Sequence, residues 1–269
     1  MNAPNTATEL EPLVLRAAAG GIVRLTLNRP AQFNSLSEEM LAALAAELES
    51  IARDDSARVV VIAANGKAFC AGHDLKQMKA TPQLDYYRKL FADCARLMLK
   101  IQQMPQPVIA RVHGIATAAG CQLVAMCDLA VAADVARFAV SGINVGLFCA
   151  TPGVALSRNL TRKQAFEMLV TGEFIDAATA RERGLVNRVV PLAHLDAEVE
   201  ALAQSIVAKP AIAIAMGKGL FYKQLEMGIE GAYQLAGQTM ACNMVDAAAQ
   251  EGVAAFMEKR RPAWAPPGE

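Results

Sequence analysis

The chain is poor in histidine: His73, His113 and His194 stand far apart, and none has a second His or Glu at helical spacing. That pattern excludes the common zinc motifs, and no metal is expected. Paired cysteine motifs are missing as well, since Cys70, Cys94, Cys121, Cys127, Cys149 and Cys242 form no C-x-x-C. Several lie in apolar runs, where free cysteine behaves as a small hydrophobe, so a reducing, cytoplasmic setting is expected. There is no surplus of charge of either sign: Lys plus Arg and Asp plus Glu are both 26. Without a global field favouring nucleic acid or an anionic membrane, neither is an expected partner, and an anionic ligand must be captured locally. Long apolar runs are absent too, because Asp, Arg or Lys interrupts every hydrophobic stretch before the roughly 20 residues of a membrane span. The opening MNAPNTATELEPLVL has no signal-peptide or transit-peptide character, and residues 1–11 are expected to be a disordered tail.

What is present suits a large core: 54% of 269 residues are hydrophobic. IVRLTLN (22–28) alternates as a half-buried strand does, and Pro30 ends it. From Ser37, the residues Met40, Leu41, Leu44, Leu48 and Ile51 recur at helical spacing, with Glu38 and Glu39 in the first turn, where the helix dipole favours them. VVVIAA (59–64) is a continuous apolar run, as in a strand covered on both faces. A helix through Leu84, Phe91, Met98 and Ile101 is closed by Pro105 and Pro107, and VIARV (108–112) and DLAVAA (128–133) read as further strands. After Phe138 the pattern turns helical, with three amphipathic stretches between His194 and Arg261. The expected architecture is an α/β core of repeated β-β-α units over 12–191, a helical C-terminal region over 192–261 and a tail over 262–269.

Two glycine-containing turns follow apolar strands: GKAFCAGHDL (66–75) and HGIATAAGCQL (113–123). Each puts small residues where a ligand can approach the backbone, and the second opens into a helix whose first N–H groups attract negative charge. Two such donors can make an oxyanion hole. A single turn of this kind is ordinarily no more than a tight connection; two in tandem are harder to dismiss. Neither has the G-x-G-x-x-G or G-x-x-x-x-G-K-[ST] spacing of a nucleotide motif.

LNRPAQFNSLS, AFCAGHDL, PVIARVHGIATAAGCQL, CDLAVAAD, TPGVALSRNL, TGEFIDAATARERGLVNRVV and EGVAAFMEKR follow one another as in the enoyl-CoA hydratase/isomerase, or crotonase, family, over roughly residues 12 to 261. GLFCATPGVALSR and FYKQL resemble one subgroup of it. The resemblance implies the crotonase-like spiral, no tightly bound cofactor and an acyl-CoA thioester as ligand, with coenzyme A as part of the substrate. It also implies a homotrimer or dimer of trimers built on the C-terminal helices. The thioester carbonyl would be held by the backbone N–H groups of His73 and Ala119, with Ala71 and Gly72 shaping the first turn and Ala71 near the adenine. Alanine at 119 keeps its N–H and fits where φ is negative. Phe256 and Lys259, three apart on the last helix, would meet the nucleotide from a neighbouring subunit, or form a plain amphipathic face.

The resemblance also marks a departure. Where the family's hydratases carry two catalytic glutamates, this chain has Gln122 and Gly142. Glutamine orients water but accepts no proton at neutral pH, and glycine has no side chain. Ordinary hydration is therefore in doubt, and returning glutamates to both positions is the route the sequence suggests for restoring it. Two readings stay open: an acyl-CoA enzyme that stabilises an enolate, or a non-catalytic acyl-CoA binding protein. His73, the only imidazole beside the site, is also a candidate base. Cys149 and Thr151 lie in a loop where the family places variable catalytic groups, although no Lys, Arg or His adjoins Cys149 to activate it. Asp74, Asp128, His113 and His194 read as structural.

Overall fold

The computed structural model describes residues 11–265, so the tail expected at 1–11 falls almost wholly outside it, and that expected at 262–269 is described only through residue 265, with Trp264 Nε1 donating to the Ala248 carbonyl at 3.2 Å. β1 (Val14–Ala19) and β2 (Ile22–Leu27) form an antiparallel hairpin. α1 (Glu38–Ile51) starts where the sequence places it: the Ser37 hydroxyl accepts the Met40 N–H at 3.2 Å, and the buried face is Met40, Leu41, Leu44, Leu48 and Ile51. The chain then repeats a long strand, a short strand and a helical segment. The first round is β3 (Val59–Ala64), β4 (Ala68–Cys70), α2 (Leu75–Ala80) and α3 (Leu84–Gln103). The second is β5 (Val108–Val112), β6 (Ile115–Thr117) and α4 (Ala119–Met126); the third is β7 (Leu129–Ala133), β8 (Arg137–Ala139) and α5 (Ala150–Leu156). After α6 (Arg162–Thr171) come β9 (Ile175–Asp176), α7 (Ala177–Glu182) and β10 (Arg188–Val190).

The long strands, with the three-residue β10 at the edge, collect in one sheet, β1-β2-β3-β5-β7-β10, and short ones in a second, β4-β6-β8-β9. This is the α/β spiral of repeated β-β-α units. Side chains alternate across the long sheet. Val60, Ile62, Val108 and Ala110 join the main core with α1, α3 and α4. Val59, Val61, Ile109 and Val131 join a second core roofed by Leu195, Val199, Leu202 and Ala203 of α8 (Leu195–Val207). Coverage on both faces explains why VVVIAA is continuously apolar.

Two expectations need correction. The segment after Phe138 is not purely helical, for it contains β9 and β10; strands of two and three residues are too short to show a period of two. The three C-terminal stretches are four helices, α8, α9 (Ala211–Leu225), α10 (Ile229–Met244) and α11 (Ala247–Met257). Pro210 precedes α9, Gly228 precedes α10, and Asp246 opens α11 by accepting the Ala248 N–H at 2.9 Å.

α8 belongs to the packed body, and Asp196 in its first turn pairs with Arg24 at 2.8 Å and Arg111 at 2.6 Å. α9 is tied to the body by a buried ion pair. The Lys218 ammonium donates to the Asp128 carboxylate at 2.6 Å and to the carbonyls of Ile101 and Gln106 at 2.7 and 2.8 Å. Asp128 also accepts from Tyr222 at 2.7 Å and the Val108 N–H at 2.6 Å. By contrast, Phe221, Ile229, Tyr233, Met240, Val245 and Phe256 of the last three helices and their links are largely exposed. No single helix among the described residues is long and apolar enough to cross a membrane; one bent pair, Leu192–Val207 with Ala211–Leu225, passes by length and composition only.

Candidate active site

β4 runs into Ala71, Gly72, His73 and Asp74. Here Leu36 bridges in parallel to His73: the Leu36 N–H donates to the Gly72 carbonyl at 2.7 Å, and the Asp74 N–H donates to the Leu36 carbonyl at 3.3 Å. In a parallel bridge the flanking residues carry the bonds, so the His73 N–H faces away from Leu36. It takes no acceptor among the described residues. Asp74 anchors the turn, accepting the N–H groups of Lys76 and Gln77 at 3.0 and 3.3 Å and pairing with Arg29 at 2.9 Å. Burial alone would raise its pKa, but Arg29 and the two N–H donors outweigh burial and hold it below the usual carboxylate value.

The second turn leaves β6 at Thr117 and enters α4 at Ala119, whose N–H, like those of any first helical turn, lacks an intrahelical partner. Ala119 has an ordinary negative φ, and the unusual backbone lies one residue earlier, at Ala118, with φ 51° and ψ −121°. That conformation favours glycine and costs an alanine roughly 1–3 kcal/mol. The two turns touch at Gly72. Its φ is +90°, and a Cβ there would stand 2.8 Å from the Ala118 Cβ and 3.2 Å from the Ala119 nitrogen. Only glycine keeps the space before that nitrogen open.

His73 and Ala119 line one cavity of about 280 Å³. Most of its wall is apolar, including Ala71, Leu75, Met78, Phe91, Val145 and Phe148. Ser141 is its hydroxyl, 2.8 Å from Thr117 Oγ1, together with Thr151 near the start of α5. Among the described residues, the ionisable side chains in the wall are His73 and Cys149, and none is a carboxylate, Lys or Arg. Burial pushes the Cys149 thiol pKa up, opposed by the Gly142 backbone, so the thiol is protonated at neutral pH and is a poor nucleophile.

The two substituted positions differ in kind. Gln122 is one turn into α4 and buried, with Oε1 lacking a partner among the described residues, but it does not form the cavity wall. Gly142 does line the cavity, yet a Cβ there would meet the Leu147 carbonyl oxygen at 2.6 Å and Cys149 Sγ at 2.7 Å. The position is closed by its neighbours, not merely without a side chain.

The remaining expected residues are scattered. Gly72 shapes the cavity without lining it; Phe256 is 86% exposed, and neither it nor Lys259 reaches the cavity of its own chain. Lys259 is not on the last helix, which ends at Met257, and has a left-handed φ of 53°. His113 Nε2 meets the Gly66 carbonyl at 2.9 Å, and His194 is an exposed residue before α8. Among the described residues no group of three or more His, Cys, Asp or Glu is placed to hold a metal ion. Sequence reading passed over Phe91 and the Thr117–Ser141 pair, which only the fold brings together. It also missed Lys218, although a single cation within AIAIAMGKGLF was a signal that something buried must pair with it.

The α/β spiral defines a member of the crotonase fold class, and the chain belongs to the enoyl-CoA hydratase/isomerase family, whose model matches residues 17–267. Among curated relatives, it is 45% identical over 262 residues to enoyl-CoA hydratase domain-containing protein 3, mitochondrial, of Xenopus laevis, covering 97% of this chain and 89% of that one. Among solved structures, an enoyl-CoA hydratase of Mycobacterium smegmatis is 67% identical with a TM-score of 0.93, covering 94% of this chain and 99% of that one. The human enoyl-CoA hydratase domain-containing protein 3 is 44% identical with a TM-score of 0.91, covering 94% and 100%. This is the subgroup that GLFCATPGVALSR and FYKQL resemble.

Proposed function

We propose that the chain is an enzyme acting on acyl-CoA thioesters, whose carbonyl oxygen is held between the backbone N–H groups of His73 and Ala119. The observation that carries this reading is the contact of the two turns at Gly72, which leaves both N–H groups unpaired beside one apolar cavity. Fixed donors aimed at a developing oxyanion stabilise an enolate without reorganisation, and removing one typically costs about 10²–10³-fold. The family's lyase and isomerase chemistries both pass through such a charge. Hydration is disfavoured, because no carboxylate among the described residues lines the cavity to activate water. Decarboxylation of a malonyl-type substrate needs the oxyanion hole and no base, because the electron pair left by departing CO2 forms the enolate, and an apolar wall does nothing to hold the carboxylate back. Isomerisation within the acyl chain must move a proton, for which the described wall offers only His73 and Cys149. Coenzyme A is the carrier portion of the substrate, with Ala71 toward its adenine, and no tightly bound cofactor is needed.

Turnover of enoyl-, malonyl- and hydroxyacyl-CoA compounds, followed by mass spectrometry, tests the reading; tight binding with no turnover of any would leave a non-catalytic acyl-CoA binding protein. That second reading is favoured by the closed position at Gly142 and the protonated thiol of Cys149. The exposed apolar residues of α9 to α11 further support a homotrimer or dimer of trimers, with Phe256 and Lys259 offered to a neighbour's nucleotide. Light scattering showing a stable monomer at micromolar concentration would remove that part. The vertebrate relative's name places that protein in mitochondria. Cell fractionation decides between that site and the cytoplasm for this chain.

A further inference from the structure

Apart from His73, the polar side chains in the cavity wall are Ser141, Cys149 and Thr151, all from the one segment that runs from the end of β8 into α5. They share the cavity with the His73 and Ala119 N–H groups, which have no acceptor among the described residues and mark the place of a ligand's oxygen. Of the two ionisable side chains in the wall, His73 is out of a ligand's reach, because Nδ1 and Nε2 are both buried. That leaves the Cys149 thiol. Its sulfur accepts the Gly142 N–H and stands 2.7 Å from where a Cβ on Gly142, itself part of the wall, would sit. Burial keeps the thiol protonated, which disqualifies it as a base or a nucleophile and suits it as an acid. The Gly142 N–H stabilises the thiolate that remains once the proton is given. A thiol is also a far stronger acid than the hydroxyls of Ser141 and Thr151 or the α-carbon of a thioester, so transfer to an enolate carbon runs downhill.

Building on the acyl-thioester reading, we propose that the Cys149 thiol is a catalytic acid, delivering the proton that quenches an enolate held by the His73 and Ala119 N–H groups. For a malonyl-type thioester the step balances without a co-reactant. The bond from the α-carbon to the carboxylate breaks, its electron pair forms the enolate, and CO2 departs. The S–H bond then breaks as a C–H bond forms at the α-carbon, and the thiolate regains a proton from water. A single fixed thiol meets a held enolate from one side, so the new C–H bond has one configuration.

Decarboxylation of 2-methylmalonyl-CoA in D2O, supplied as both epimers, tests it, because protonation makes the α-carbon of the propionyl-CoA product a stereocentre carrying deuterium. The native protein is expected to give one configuration. Cys149→Ser, close in size but a much weaker acid, and Cys149→Ala are expected to give an even mixture as water protonates either face, with turnover lower by about 10²-fold, the low end for loss of an acid. Calorimetry with butyryl-CoA, whose binding needs no proton transfer, confirms that each variant is folded and still holds a thioester. A native product of mixed configuration, a readout that needs no variant, would overturn the inference, as would a single configuration that persists in either folded variant; both results leave the acyl-thioester reading intact. A native protein that binds butyryl-CoA but decarboxylates no methylmalonyl-CoA forms no enolate there for the thiol to quench, which also overturns the inference and leaves the binding-protein reading. If butyryl-CoA does not bind the native protein, the acyl-thioester reading falls and the inference with it.

Discussion

Placing a carboxylate back at position 142 is expected to fail for lack of space before it can help the chemistry. In Gly142→Glu the backbone is no obstacle, since the residue is not at positive φ. The obstacle is the Leu147 carbonyl oxygen at 2.6 Å and Cys149 Sγ at 2.7 Å from where the Cβ must sit. Leu147 cannot easily retreat, because its own N–H closes the turn onto the Gly142 carbonyl at 3.0 Å. Overpacking of this kind costs roughly 1–3 kcal/mol, and at about 2–4 °C per kcal/mol for a chain of this size Tm should fall by roughly 2–12 °C. Gln122→Glu changes one atom type at a buried position outside the cavity wall, and burial would raise the new carboxyl's pKa toward that of a useful base. General acid–base groups contribute about 10²–10⁴-fold each. Position 122 lies outside the cavity wall, however, so Gln122→Glu alone should leave crotonyl-CoA hydration as weak as in the native protein. The double variant should do no better, contrary to what the sequence alone suggests. Loss of enoyl absorbance at saturating substrate and calorimetric Tm would be measured for all four proteins. An unchanged Tm for Gly142→Glu would refute the packing argument, and native hydration as fast as that of ordinary hydratases would refute the need for carboxylates.

Ala118→Gly should stabilise the protein by about 0.5–2 kcal/mol, the relief of a left-handed alanine less the entropy glycine adds to the unfolded chain, read by urea unfolding. Lys218→Met should destabilise it by about 3–5 kcal/mol, because it leaves the Asp128 carboxylate buried without its counter-charge; thermal unfolding measures the loss. Asp196 has its pKa lowered to about 2, chiefly by hydrogen bonds from Arg111, against burial and with Arg24 assisting. Its contribution is thus full above the unfolded value of about 4 and is lost as pH falls from there toward 2. Over half exposed, the carboxylate is worth at most about 1 kcal/mol, and the stability gap between native protein and Asp196→Asn should shrink from pH 6 to pH 3.

Much of the spiral could be read from the chain because its long strands are covered twice. Burial on both faces makes VVVIAA a continuous apolar run, and Ser37 with Glu38 and Glu39 marks the start of α1 with its own chemistry. The second sheet was illegible for the opposite reason. Strands such as Ala68–Cys70 and Ile115–Thr117 have three residues each, too few for a pattern, and exist because neighbouring turns of the spiral present them edge to edge. In the site, the turns could be recognised by their glycines and assigned by resemblance. Which residue carries the strained φ could not: alanine occupies both 118 and 119, and only the position of the Ala118 N–H, bonded to the Ala139 carbonyl at 3.0 Å, fixes the strain on the first.

The departures at the site are also coupled in a way that residue identities conceal. Gly142 and Cys149 are seven positions apart in sequence, and each reads alone as a loss or an oddity. In the fold, the sulfur of one stands where the Cβ of the other would begin. A Cβ at 142 therefore requires a change at 149 and a shift of the Leu147 carbonyl, so the glycine is part of a packed arrangement and not an isolated deletion. Meanwhile the features proposed to serve a thioester carbonyl come at some cost, since Gly72 must remain glycine and Ala118 is strained. Strain of that kind persists only where the surrounding structure over-determines it. In the proposed reading, strained turns around two N–H groups beside a closed position for a water-activating carboxylate suit a reaction that needs oxyanion stabilisation and no water.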